Sequence, residues 1–217
     1  MGDMSGSTFD NLTIGQLKLF AEELGLSGIT GSIRRATAST YDQFVDTLHS
    51  DLDDVIKRIQ ENPEVRAKDG EDRLTMEIVN ILRAMGYNAA HETKIGGHTD
   101  LSVKGKNNYL WIGEAKIHGA YDYLFQGFQQ LCTRYATGDA QQNRGALIIY
   151  IKNANSAQVI RNWQERLVTY ELEDLTILPC KDRPGLAFDS SHKLVRTGLA
   201  FGVKHIGVSL YFKPQDI

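Results

Sequence analysis

The stretch HTDLSVKGKNNYLWIGEAKI, His98 to Ile117, places charges inside segments that otherwise read as buried strands. Apolar residues recur over His98–Val103 and Asn108–Ile117, and KGKNN between them is turn chemistry. In the second strand Trp111, Gly113, Ala115 and Ile117 face one way, while Ile112, Glu114, Lys116 and His118 face the other. Glu114 and Lys116 are therefore neighbours on one face. Among Leu110, Trp111, Ile112 and Ile117 an uncompensated charge costs several kcal/mol unless it is paired or binds a metal. Asp100, ending the preceding segment, supplies a second carboxylate. Two carboxylates and a lysine at one point suit a hard divalent cation such as Mg2+, which takes oxygen ligands and keeps several waters.

Outward from this stretch the periodicity predicts alternating elements. A helix over Asp72–Met85 carries Leu74, Ile78, Ile81, Leu82 and Met85 on one face, with Glu77 about 60° from its centre and Glu71 near the opposite margin. A strand over Tyr87–Ile95 turns at Gly96-Gly97 towards Asp100. Beyond the charged strand, Tyr121–Thr137 reads as a helix with Leu124, Phe128, Leu131 and Tyr135 as its stripe. Gln126, Gln130 and Arg134 form a polar row on another face, suited to phosphate oxygens or a water on a metal. Gly127 within this helix lowers its stability and marks close approach to the sheet. Gly145–Ile151 is a buried strand, Ser156–Tyr170 a helix and Leu175–Pro179 a further strand.

Asp100, thirteen residues, then Glu114-Ala115-Lys116, with a helix before and another after, resembles the PD-(D/E)XK nuclease superfamily over roughly residues 70–180. Thr99 stands where that family's name-giving proline would be. The resemblance implies an α/β fold with a restriction-endonuclease-like core, a mixed central β-sheet flanked by helices. It also implies a Mg2+-dependent endonuclease, with Mn2+ as an alternative ion, hydrolysing phosphodiester bonds in DNA. Asp100 and Glu114 would hold the ion with the Ala115 carbonyl, and Lys116 would stabilise or help deprotonate the attacking water. In such enzymes the helix before the first strand lends a glutamate, which designates Glu77 with Glu71 in reserve; a glutamine from the later helix designates Gln130. Small relatives often serve restriction or phage-defence systems. The rival readings are a catalytically silent nucleic-acid-binding or assembly subunit, and an RNA-directed or structure-specific nuclease, for which Tyr121 and Tyr123 are the residues to test.

The ends of the chain carry less chemistry. At 217 residues and 41% hydrophobic content the chain can bury one core. Three parts are expected: a helical extension over 1–65, a nuclease core over 66–180 and a β-hairpin extension over 181–217. Residues 1–9 read as disordered, and Thr13 with Gln16 forms a capping-box pattern before Ile14, Leu17, Phe20, Ala21 and Leu24. A connection containing Arg34-Arg35 leads to a helix from about Ser39 with Phe44, Leu48, Leu52, Val55 and Ile59 on one stripe, a candidate surface for a homo-oligomer or partner protein. Lys193–Phe201 and Val203–Phe212 read as a hairpin about Gly202, whose Lys193, Arg196, Lys204 and His205 could clamp a duplex.

Charge divides unevenly: residues 1–75 hold 14 acidic and 8 basic residues, whereas residues 86–164 hold 5 acidic and 8 basic, placing the positive excess with the charged strand. Cys132 and Cys180 make no metal-ligand spacing, and neither a signal peptide nor a membrane span is indicated, so the cytoplasm is the expected compartment.

Overall fold

Thr13 caps the first helix as its spacing to Gln16 foretells. Gln16 N–H donates to Thr13 Oγ1 at 3.2 Å and Thr13 N–H to Gln16 Oε1 at 2.9 Å, opening α1 (Ile14–Glu23). The computed structural model describes residues 12–216, so the disorder expected for residues 1–9 lies outside the described residues. It divides into two units, Met1–Leu48 and His49–Ile217. In the first, the expected connection around Arg34-Arg35 is instead a helix, α2 (Ser27–Thr37). Its hydroxyls bond back along the helix, Ser32 Oγ to Gly28 O and Thr37 Oγ1 to Ile33 O, so residues that usually favour turns are absorbed. Of the α1 stripe only Ala21 is buried, and Ile14, Leu19 and Leu24 are exposed. α3 (Tyr41–Gln60) begins in this unit and continues into the second; all five residues of its predicted stripe are buried.

The second unit holds a 3-10 turn (Pro63–Arg66), α4 (Glu71–Ala84), β1 (Asn88–Ala90), β2 (Thr93–Lys94), β3 (His98–Thr99), β4 (Leu101–Lys104) and β5 (Leu110–Ile117). After these come α5 (Tyr121–Gln129), β6 (Arg144–Ile151), α6 (Ser156–Val168), β7 (Thr176–Pro179), β8 (Ala187–Lys193) and β9 (Ala200–Ser209). The class is α/β, with a seven-stranded mixed sheet in the order β1-β4-β5-β6-β9-β8-β7. β5, β6 and β9 run parallel; the remaining pairs are antiparallel. The predicted strand over Tyr87–Ile95 is broken at Glu92, which takes a left-handed backbone, and only β2 reaches the Gly96-Gly97 hairpin to pair with β3.

The tail departs most from expectation. Its turn falls over 194–199, where Gly198 has φ +69°, rather than at Gly202. β9 then runs through Gly202 into the middle of the sheet, between β6 and β8. Phe201, Val203, Ile206 and Val208 are all buried, the pattern of a strand covered on both faces. Residues 181–217 are therefore part of the central sheet and not an appendage, and β7, expected to complete a core, is its edge.

Each face of the sheet is fastened by a tryptophan donating to a histidine. Trp111 Nε1 donates to His49 Nε2 at 3.0 Å, tying β5 to α3. On the opposite face Trp163 Nε1 donates to His205 Nδ1 at 3.0 Å, tying α6 to β9. With Nδ1 accepting, His205 carries its proton on Nε2, which donates to Ser190 Oγ at 2.8 Å. Burial, with a smaller contribution from His192, pushes the pKa of His205 down to about 3, and burial, aided by Arg144 and Lys204, lowers that of His49. A depressed histidine pKa contributes stability that is complete above the ordinary value of 6.5 and is lost as pH falls. Melting temperature should therefore drop as pH is lowered from 7 towards 4. His205→Gln should lower it at pH 7 yet flatten that fall, removing a pH-linked contribution on the order of a few kcal/mol; circular-dichroism melts of both proteins across this range check it.

Candidate active site

The β4–β5 ladder ends at the pair Leu101 and Gly113. Past this point Thr99 turns away to pair with Thr93, leaving the edge of β5 without a strand partner. Two carboxylates take the strand's place. Asp100 Oδ2 accepts from Ala115 N–H at 2.8 Å, and Glu71 Oε2 accepts from Ile117 N–H at 2.7 Å. A strand residue's N–H and C=O point to the same side, so the Ala115 carbonyl faces this edge too.

On the α5 face of β5, Lys116 Nζ lies among three carboxylates. It is 2.7 Å from Glu114 Oε1, 3.4 Å from Glu71 Oε1 and 3.6 Å from Asp100 Oδ2. Glu114 is 2% and Lys116 6% exposed, so neither charge is shielded by bulk water. Burial, reinforced by Asp100, raises the Glu114 pKa to about 7 against the opposing pull of Lys116. Burial also works against the Lys116 ammonium, but its hydrogen bond to Glu114 and the three carboxylate charges outweigh this and hold its pKa above the ordinary lysine range. Lys116 is thus a cation near neutrality. Tyr123 flanks it, the ammonium 5.5 Å from the ring centroid and the hydroxyl 3.4 Å from either Glu71 oxygen.

The chain direction explains why Glu71 reaches the site. β1 and β5 each run antiparallel to β4, and α4 leads back into β1, so its N-terminus lies at the C-terminal end of β5. Glu71 is the first residue of α4. Lys152 Nζ holds the preceding loop through the Ala67 and Asp69 carbonyls, and Thr75 bonds to Tyr150 at 3.0 Å. Glu77, six residues on, stands roughly 9 Å further along the helix. The structure does not bring it to the site: both of its oxygens take Arg66, fastening the 3-10 turn to α4. Glu71, the reserve, occupies the place expected of Glu77.

The later helix differs in form. α5 gives way at Gln130 to a π-helical turn, Gln130–Tyr135, closed by Ala136 N–H to Leu131 O at 3.0 Å. Such turns recur at functional sites because they re-aim side chains. Gln130 Oε1 is buried without a hydrogen-bond partner, while Gln126 and Arg134 are exposed. Gly96, at φ +68°, brings the β2–β3 hairpin so close to the π turn that a Cβ there would lie 2.2 Å from Arg134 O. Gly127 makes the close approach expected of it: a Cβ would stand 2.7 Å from Lys116 Cγ and 2.9 Å from its Cε.

The basic residues of the tail are not at the site. Lys204 is buried, with Nζ 3.3 Å from Cys180 Sγ and 3.8 Å from Asp53 Oδ2, because β9 is an interior strand. Lys193 is held by Glu173 and Asp174 at 3.1 and 2.8 Å. Arg196 is exposed in the β8–β9 turn, at the end of the parallel strands opposite Lys116, and His205 is committed to Trp163 and Ser190.

Among the described residues no three His, Cys, Asp or Glu side chains form a group able to hold a metal ion. The donors present are two carboxylates and a main-chain carbonyl. Mg2+ commonly takes one or two carboxylates and completes its shell with water, so these hard donors fit it. The unpartnered, buried Glu114 Oε2 is the observation behind that fit. The chain matches no family model, no curated protein and no solved structure. Nor is any helix among the described residues long and apolar enough to cross a membrane.

A carboxyl whose pKa is raised contributes stability that is complete below its ordinary value of 4.5 and is lost as pH rises through about 7. Without divalent ions, Glu114→Gln should therefore melt higher than the native chain at pH 8. The gap, on the order of 3 kcal/mol at full ionisation, should close towards pH 5 in denaturant titrations.

Proposed function

We propose that this protein is a divalent-metal-dependent endonuclease acting on DNA, built on a restriction-endonuclease-like core of the PD-(D/E)XK kind. The observation that carries this reading is the Lys116 ammonium set among Glu114, Asp100 and Glu71 at the unpaired edge of β5, with Glu114 Oε2 buried and unpartnered. The order of elements supports it: α4, three antiparallel strands, α5, then β6 parallel to β5. Asp100, Glu114 and the Ala115 carbonyl would hold Mg2+. The ion would supply positive charge against the phosphodiester and make a water easier to deprotonate.

The chain's own groups do the rest. Lys116, held as an ammonium, donates to the attacking water or to the phosphate oxygen on which charge grows, and acts as an electrostatic stabiliser and not as a base. Glu71 keeps the ammonium aimed and anchors the strand end through Ile117. Gly127 leaves the space in which the lysine stem lies straight.

Digestion of supercoiled plasmid and linear duplex, in Mg2+ or in EDTA, tests this. Cutting is expected with Mg2+ alone, and folded Asp100→Ala, Glu114→Ala and Lys116→Ala proteins should each lose at least about a hundredfold in rate. If the native chain cuts neither DNA, RNA nor branched substrates, or if folded Glu114→Ala and Lys116→Ala still cut, the reading fails. Glu71→Gln should slow cutting, whereas Glu77→Gln should leave the rate intact and lower the melting temperature by freeing Arg66. Gly127→Ala gains about 1 kcal/mol of helix propensity. It should nonetheless reduce cutting tenfold or more, by about the tenfold cost of a displaced donor, with the far-ultraviolet spectrum unchanged.

A further inference from the structure

On the α5–α6 face, a cavity of about 360 Å³ opens between α5, the residues after α6 and the end of β8. This volume falls within the roughly 300–1,000 Å³ typical of small-molecule sites. Its walls are aromatic. Phe125 stacks on Tyr170 with ring centroids 3.4 Å apart and planes 9° apart, and lies 6.2 Å from Phe128 at 18°. These parallel rings present a flat, rigid surface.

One polar group interrupts the apolar lining. His192, 4% exposed and 5.2 Å from the Phe128 ring, has a buried Nδ1 with no hydrogen-bond partner. Burial lowers its pKa, so the ring is neutral and can offer one acceptor and one donor. An unmet buried nitrogen costs about 1–3 kcal/mol. A ligand that meets it recovers that cost.

The rim excludes charged ligands of one sign. Lys193 is the cation there, and Glu173 and Asp174 already hold it. Glu171 and Glu173 line the opening as well, so a phosphate would meet carboxylates without a free cation. Cys132, whose thiol pKa is raised by burial, is no nucleophile at neutral pH.

We infer that this cavity is a second binding site, separate from the Lys116 cluster, for a planar, uncharged nitrogen heterocycle of the nucleobase class, which lies on the aromatic wall and hydrogen-bonds His192. The same chemistry is presented by a free nucleoside and by an unstacked base of a nucleic-acid strand.

Saturation-transfer NMR and thermal-shift titrations on the full chain, with adenosine, guanosine, cytidine and thymidine and separately with single-stranded oligonucleotides, test the site. At least one nucleoside or oligonucleotide should bind, and His192→Phe should weaken it by about tenfold or more, the loss of one hydrogen bond in a dry site. Thr133→Trp, at an exposed position on the rim, should obstruct the cavity without touching the core and abolish binding. Binding of a free nucleoside assigns a diffusible ligand, and binding of oligonucleotides alone assigns a base of the strand. Absence of binding by every probe, or binding unchanged in both folded variants, overturns the proposal. Because no cleavage is read, the result stands apart from the fate of the nuclease reading.

Discussion

A backbone amide that leaves a ladder inside a protein has to find another acceptor. In β5 two of them do so at once, because β4 stops opposite Gly113 and the chain before it bends at Asp100. Ala115 N–H takes Asp100 and Ile117 N–H takes Glu71, so two carboxylates from distant parts of the sequence are fixed by the need to satisfy main-chain groups. Their placement follows from strand geometry, and Lys116 is then drawn between them. Were β4 two residues longer, the amides would be met by carbonyls and neither acid would be held there.

The cluster this creates costs the fold something. Burial favours the neutral form of Glu114 while the lysine and the neighbouring acids pull in opposite directions, so its charge is held with difficulty. Elsewhere the same sheet handles buried polarity without strain: Trp163, His205 and Ser190 form a closed run of neutral hydrogen bonds. The contrast separates a group retained for architecture from one retained for chemistry, since only the second leaves a buried oxygen unmet.

What was legible in the sequence was local. Alternation along Leu110–Ile117 put Glu114 and Lys116 on one face, and Gly127 in an apolar helix announced a close neighbour, because both depend only on residues a few positions apart. Glu71 and Glu77 could not be separated in that way. The choice between them rests on which end of α4 meets which end of β5, a matter of strand direction across the whole sheet. Lys204 misled for the same reason. Its strand has the alternation of an edge hairpin, yet burial on both faces comes from β6 and β8 on either side, which no single segment reveals. The π turn at Gln130 is likewise silent in periodicity, since one extra residue per turn over so short a span leaves the apolar stripe almost intact.

The chain contains two tryptophans, and each donates its indole proton to a different buried imidazole on a different face of the sheet. The protein thereby carries an optical probe in each helical layer. Replacing one indole at a time with phenylalanine would leave an emission belonging to a single layer, reporting whether the α3 side and the α6 side come apart together or in turn.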